Sequence, residues 1–318
     1  MLKKIYDGER LVRVVSDNVG KALKFFRTQE KIVVFHHDDA DGKLGGRMVY
    51  EAFRLDNTKR FHCCNYGTKM PNPNMVKEGD VVFIVDYCIP TDQLREITEV
   101  ASLVVFLDHH KTAMDMVAKD FEYYSKLVEE DKLIIDLDMG RCGAKIASEY
   151  FISIGLDKGW NEKVVDLVDK YDRWTKEDPR ADYLNQFIYN SSMSYVNSQM
   201  WYDLLYDEEY FQRAISIGKE FFDINLHKNE LTFRSFAKET EFHGLKISVI
   251  EGFGNSQLFG DHIDDYDAVC VFHITNNGKW QHSIYSSKPG SGLNKIAEIY
   301  GGGGHKSAAG FILDERIF

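Results

Sequence analysis

Three apolar runs in the first third of the chain end in the same way. KIVVF (31–35) runs into HHDDADG, DVVFIV (80–85) into DYCIP, and LVVFL (103–107) into DHHK. Each is a β-branched run of strand length. The stretches 44–55, 91–101, 143–155 and 161–174 carry helical patterns. Strand and helix in alternation predict a parallel α/β sheet. Sites in such sheets form outside the carboxyl ends of the strands, so the three polar clusters are expected to converge.

The clusters supply His37, Asp39 and Asp41, then Asp86, then Asp108, His109 and His110. A lone aspartate after a strand, such as Asp86, reads most simply as a helix N-cap. Three acidic clusters at three successive strand ends do not, because like charges repel unless something positive lies among them. Carboxylates and imidazoles without cysteine suit Mn²⁺, Mg²⁺ or Fe²⁺. The donors outnumber the needs of one ion, which points to two ions sharing a bridging carboxylate. Ions ~3.5–4 Å apart can activate a water and stabilise an in-line phosphoryl displacement. Gly42 lets the backbone turn beside the ligands, and His36 reads as a strand-end residue. Asp169 and Asp172, three apart in DLVDKYDRW, share a helix face and offer a further carboxylate.

Downstream, 205–239 reads as a connecting helix with breaks, and the chain from about 240 turns strand-like in LKISVIEG, AVCVFHI and WQHSIYSSK. The expected domains are 1–190, a helical linker 191–239, and a smaller α/β domain 240–318. Near the end stands GGGGHKSAAG (301–310). Four glycines cost backbone entropy on ordering, and their amides can cradle phosphate. Lys306 adds a counter-charge, and HKSAAGF is expected to open a helix whose N-terminus attracts anions.

Composition narrows the substrate. A net charge of −11 over 318 residues argues against a broad electrostatic footprint on long nucleic acid. Five cysteines at irregular spacing, with no CxxC, argue against a disulfide framework or a thiolate zinc site. No apolar run approaches the ~20 residues of a membrane span, and the N-terminus has no apolar signal-peptide core. A cytoplasmic protein that works away from membranes is expected.

These motifs, in this order, resemble those of the DHH-family phosphoesterases that carry the DHH-associated C-terminal domain. HDDADG (37–42) resembles the first motif, IVDYCIP with Asp86 the second, and LDHHK (107–111) the third. GRCGAKIASEYF (140–151) is similar to the glycine-alanine helix that follows. DLVDKYDRW is similar to the fourth motif, with Asp169 the better match and Asp172 its rival. GGGGHKSAAGF resembles the C-terminal domain's signature.

The resemblance implies roles residue by residue. His37, Asp39 and Asp108 would hold one Mn²⁺, Asp41, His109 and Asp169 the second, and Asp86 would bridge them. Mg²⁺, Co²⁺ and Fe²⁺ are the other candidate ions. Asp86, Asp108 and His110 would form the catalytic set, with His110 on the phosphate under attack. Gly302, Gly303, Gly304, His305 and Lys306 would hold the far end of the substrate across a cleft between the domains. Tyr285 stands where many relatives carry arginine; it can stack on a base but cannot neutralise a phosphate.

The implied activity is a Mn²⁺-dependent phosphodiesterase trimming short oligonucleotides to mononucleotides in the manner of the family's nanoRNases. Removal of the phosphate from 3′-phosphoadenosine 5′-phosphate is a related option. A linear or cyclic dinucleotide phosphodiesterase and a RecJ-like single-strand exonuclease are the rival enzymes. A non-catalytic nucleotide sensor is the rival of another class. Homodimerisation is a further expectation from the resemblance.

Overall fold

The computed structural model describes residues 1–7, 10–18, 32–53, 60–66, 69–191, 195–304 and 306–318. They divide into two compact units, Met1–Phe221 and Phe222–Phe318.

The first unit is built on a seven-stranded sheet. Its strands are β1 (Leu2–Asp7), β2 (Arg10–Ser16), β3 (Ile32–His37), β4 (Arg60–Cys64), β5 (Val81–Val85), β6 (Leu103–Asp108) and β7 (Leu133–Asp138). They lie in the order β1-β2-β7-β6-β5-β3-β4. The five strands from β4 to β7 run parallel, and β2 and β1 add an antiparallel edge. The chain leaves β3 to one side for β4 and returns on the other side at β5. Ligands bind at such a reversal, outside the carboxyl ends of the strands.

Side-chain alternation splits the sheet's contacts into two layers. Val33, Phe35, Val82, Ile84, Val104 and Phe106 pack in one core, while Ile32, Val34, Phe83, Val85, Val105 and Leu107 pack in the other. The helices in chain order are α1 (Ala40–Ala52), α2 (Thr91–Val100), α3 (Lys111–Lys119), α4 (Phe121–Glu129), α5 (Gly143–Ser153), α6 (Glu162–Asp172), α7 (Pro179–Asn190) and α8 (Gln199–Tyr206). Leu94 of α2, Met114 of α3 and Tyr124 of α4 join the first core. Leu44 of α1, Ile146 of α5, Val165 of α6, Leu184 of α7 and Trp201 of α8 join the second. Full burial of an aliphatic or phenyl side chain in these layers contributes about 1.5–3 kcal/mol. The expected connecting helix is α9 (Glu208–Phe236), set off from α8 by the extended backbone of Asp207.

The second unit carries a six-stranded sheet in the order β12-β13-β11-β10-β9-β8. The strands are β8 (Lys238–Phe242), β9 (Leu245–Glu251), β10 (Ala268–Ile274), β11 (Trp280–Tyr285), β12 (Gly303–Gly304) and β13 (Ala308–Leu313), joined by a 3₁₀ helix (Ser256–Asp265) and a short α-helix, α10 (Leu293–Ile299). One sequence expectation is corrected here. HKSAAGF opens no helix, because Ala308–Leu313 is strand β13, paired with β11 on one side and β12 on the other. Pairing on both edges overrides the helical preference of the two alanines. Packing alone calls for glycine at position 302, since a Cβ there would lie 2.1 Å from the Gly310 carbonyl oxygen. Among the described residues no helix is long and apolar enough to cross a membrane.

Candidate metal centre

The carboxyl ends of β3, β5 and β6 bring the predicted residues together. Among the described residues three groups of potential ligands form, each with its donor atoms within 4.8 Å of one another. One comprises Asp86, Asp108, His109 and His110, the second His37, Asp39 and Asp86, and the third Asp41, His109 and Asp172. Asp86 is common to two of the groups and His109 to two.

Each side chain is held by the element that ends beside it. Asp39 is the N-cap of α1, its Oδ1 accepting from the Gly42 amide at 2.8 Å, and its Oδ2 lies 2.8 Å from His37 Nδ1. Burial alone would raise the Asp39 carboxyl, but the hydrogen bond and charge of His37 bring it down to about 2. The tight turn leaves no room for a side chain at Gly42, where a Cβ would sit 2.5 Å from the His37 carbonyl oxygen.

Asp41 reaches the start of α5. Its two oxygens accept from the amides of Gly143, at 2.8 Å, and Ala144, at 2.6 Å, as a carboxylate at a helix N-terminus should. This explains the glycine-alanine stretch in physical terms. A Cβ on Gly143 would lie 2.5 Å from Asp86 Cβ, so the helix packs this closely only with glycine there.

Asp86 stands at the end of β5 with φ +55°, a left-handed conformation that aspartate tolerates better than most residues. Its amide donates to the Leu107 carbonyl at 2.9 Å. It is buried, and neither of its oxygens makes a hydrogen bond among the described residues. Oδ1 lies 3.1 Å from His109 Nε2, and Oδ2 lies 3.8 Å from His37 Nδ1. Burial pushes Asp86 well above the usual carboxylate range, and Asp41, Asp39, Asp172 and Asp108 push it further.

Asp108 is also fully buried. Its Oδ1 accepts from the His109 and His110 amides and lies 2.7 Å from His110 Nδ1, while Oδ2 makes no hydrogen bond among the described residues. Burial opposes protonation of His110, but the Asp108 charge and hydrogen bond raise it to about 9. Burial lowers His109, against the pull of Asp41.

Of the two carboxylates of α6, the structure brings Asp172 to the cluster, with Oδ2 3.4 Å from His109 Nε2. Asp169 faces elsewhere. Its Oδ1 accepts from the Cys142 amide at 2.7 Å, and the Arg173 guanidinium grips both oxygens at 3.0 Å. Asp169 therefore anchors α6 to the start of α5, and it is Asp172, not Asp169, that stands among the grouped donor atoms. Burial raises Asp172 well above the carboxylate range, and Asp41 and Asp39 reinforce this.

His36 stays out of the cluster, as its strand-end reading requires: it is buried, with Nδ1 2.8 Å from the His37 carbonyl oxygen, and burial lowers it to about 4. Motif reading did not single out Tyr66. Its ring stacks on Tyr87 at 4.6 Å and lies 5.5 Å from that of His37 and 6.1 Å from that of His110. The remaining predicted substrate contacts belong to the second unit. Gly303 and Gly304 form β12, Tyr285 ends β11, and Lys306 is exposed. His305 lies outside the described residues.

Divalent ions fit this donor set. Buried carboxylate oxygens without hydrogen-bond partners converge on imidazole nitrogens, and the clustered negative charge is what an ion would neutralise. The donors are oxygen and nitrogen alone, which suits hard or borderline cations.

No family model matches the chain. It is 22% identical over 305 residues to the oligoribonuclease NrnB of Bacillus subtilis (strain 168), covering 90% of this chain and 73% of that one. The solved DHH domain of a member of the s1p family of ribosomal proteins shares the fold, with a TM-score of 0.57 at 16% identity, covering 94% of this chain and 89% of that chain. RecJ in complex with Mn²⁺ from Thermus thermophilus has a TM-score of 0.53 at 16% identity, covering 94% of this chain and 52% of that chain. Motifs and fold together bear out the resemblance to the DHH family.

Proposed function

We propose that this DHH-type chain is a metal-dependent phosphodiesterase that hydrolyses short oligonucleotides to mononucleotides, with Mn²⁺ as its preferred ion. The observation that carries the reading is Asp86: a buried carboxylate shared by two ligand groups, with both oxygens free of hydrogen bonds among the described residues. That is the arrangement a bridging ligand needs.

His37, Asp39 and Asp108 would hold one ion, Asp41, His109 and Asp172 the other, and Asp86 both. Bound there, the ions would activate a water and stabilise the oxygens of an in-line displacement. The chain's own groups orient the reaction. Asp108 accepts a hydrogen bond from His110 Nδ1, which fixes the ring so that Nε2–H can donate to a phosphate oxygen. Tyr66 adds an aromatic wall beside His37 and His110. Gly302, Gly303, Gly304, His305, Tyr285 and Lys306 are the proposed substrate contacts of the second unit. The relative NrnB, an oligoribonuclease by name, favours a short-RNA substrate. The net charge of −11 points the same way, and five unpaired cysteines suit a reducing cytoplasm.

The test is a ladder of end-labelled RNA, from dinucleotides to strands of about twenty nucleotides, incubated with Mn²⁺ beside a cyclic dinucleotide. Rapid loss of only the shortest species is expected. Even degradation of the long strands would instead indicate a processive exonuclease. Turnover of the cyclic dinucleotide alone would indicate a cyclic-dinucleotide phosphodiesterase, and no turnover at all a sensor.

A further inference from the structure

Beside the carboxylate cluster the first unit contains a recess walled by three helices. The start of α1 contributes Asp39 and Asp41, α6 contributes Tyr171 and Asp172, and α7 contributes Asn185 and Tyr189. Counted to its open mouth, with the solvent there included, it encloses about 360 Å³. Asn185 and Tyr189 lie four residues apart on α7, so they stand on one face.

Asn185 is 4% exposed, and its Oδ1 is buried with no hydrogen-bond partner among the described residues. An orphaned acceptor of this kind is costly and rare in a folded protein unless a ligand completes it. The rest of the lining indicates which ligand. It holds no lysine or arginine, so no side chain of the recess itself would pair with a phosphate. With the carboxylates turned to the ions, the Asn185 amide oxygen is the acceptor left over, and it matches a neutral group that presents a hydroxyl donor. Asp41 and Asp172 belong at once to this recess and to a ligand group of the metal centre. The occupant therefore lies next to the reacting phosphorus.

We propose that the recess receives the ribose attached to the scissile phosphate, and that Asn185 Oδ1 accepts a hydrogen bond from its 2′-hydroxyl. Asn185 is then a specificity-determining residue that favours RNA over DNA, since the 2′-hydroxyl is what separates the two chemically. This rests on the phosphodiesterase reading above and names the part of the substrate that its site would recognise.

The test compares kcat/KM for a ribodinucleotide and the deoxyribodinucleotide of the same sequence, with Mn²⁺, in the wild type and in Asn185→Leu. The wild type should prefer RNA. Asn185→Leu should lose about tenfold on RNA, the size of one hydrogen bond, and little on DNA, so that the ratio falls toward one. Asn185→Asp keeps an acceptor and should restore part of the preference. A residue that only supports packing would lower both substrates together, and an unmoved ratio overturns the proposal, as does a wild type without RNA preference. Bis(p-nitrophenyl) phosphate has no ribose and separates the two levels of the argument. If the wild type hydrolyses it while the ratio stays unmoved, the ribose assignment alone fails. If the wild type hydrolyses neither it nor the dinucleotides, both readings fall.

Discussion

Gly143→Ala is the smallest change that should disable the centre without removing a ligand. The added Cβ would lie 2.5 Å from Asp86 Cβ and 3.0 Å from Asp86 Cα. Carbon pairs rest at about 3.5–4.0 Å, so one partner must retreat by about 1 Å. Neither has an easy route. Asp86 is pinned by the hydrogen bond its amide donates to the Leu107 carbonyl and by its left-handed backbone. The start of α5 is pinned by Asp41, which accepts from the Gly143 and Ala144 amides. Relief must therefore displace the central carboxylate or loosen Asp41. Overpacking of this kind costs about 1–3 kcal/mol, and a 1 Å misplacement at a reacting centre can cost about 100-fold in rate. The assay is a calorimetric Mn²⁺ titration, melting curves with and without Mn²⁺, and kcat/KM on a dinucleotide. The loss of Tm should be larger with Mn²⁺ than without, because the variant holds the ions less well. Wild-type Mn²⁺ affinity together with a wild-type rate would refute the claim that this contact sets the position of Asp86.

Three further outcomes are expected. Asp172→Asn should weaken Mn²⁺ binding and activity by about 100-fold, whereas Asp169→Asn should cost about 1–3 kcal/mol of stability with a smaller effect on metal affinity; calorimetry and melting curves on both variants would contradict the assignment if the pattern were reversed. In the chelated protein Tm should fall as pH rises from 6.5 to 9. His110, raised from 6.5 to about 9, contributes stability that is complete below 6.5 and is lost as pH climbs through 9. Asp86 and Asp172, raised above the ordinary carboxylate value, likewise favour the fold at lower pH. Asp39, brought down to about 2, loses its contribution only in strong acid, and the lowered His109 and His36 act below 6.5. A flat or rising Tm across that window would contradict the description of the metal-free cluster. Replacing His110 with Gln should reduce kcat by about 100-fold or more while leaving KM for a dinucleotide nearly unchanged; an unchanged kcat would remove His110 from the reaction.

The sheet and the ligand clusters were legible in the sequence because both are local. A β-branched run that stops at Asp or His records a strand end and a candidate ligand in adjacent residues, as at Phe35 to Asp41 and Leu107 to His110. The choice between Asp169 and Asp172 was not local. Both lie on α6, and only the positions of Cys142 and Arg173, which occupy Asp169, direct Asp172 to the cluster. The strand Ala308–Leu313 was hidden for a related reason, since its small residues fit either element and only pairing on both edges decides. Asn185 gave no signal at all. A polar residue in a helix looks solvated until tertiary packing buries its oxygen.

The central claim, two ions held by the cluster around Asp86, is tested most directly by titrating the metal-free protein with Mn²⁺ under electron paramagnetic resonance. Two ions per chain with the broadened spectrum of a magnetically coupled pair are predicted, and in Asp86→Ala the coupling should vanish. One ion per chain, no tight binding, or two uncoupled ions in the wild type would contradict it.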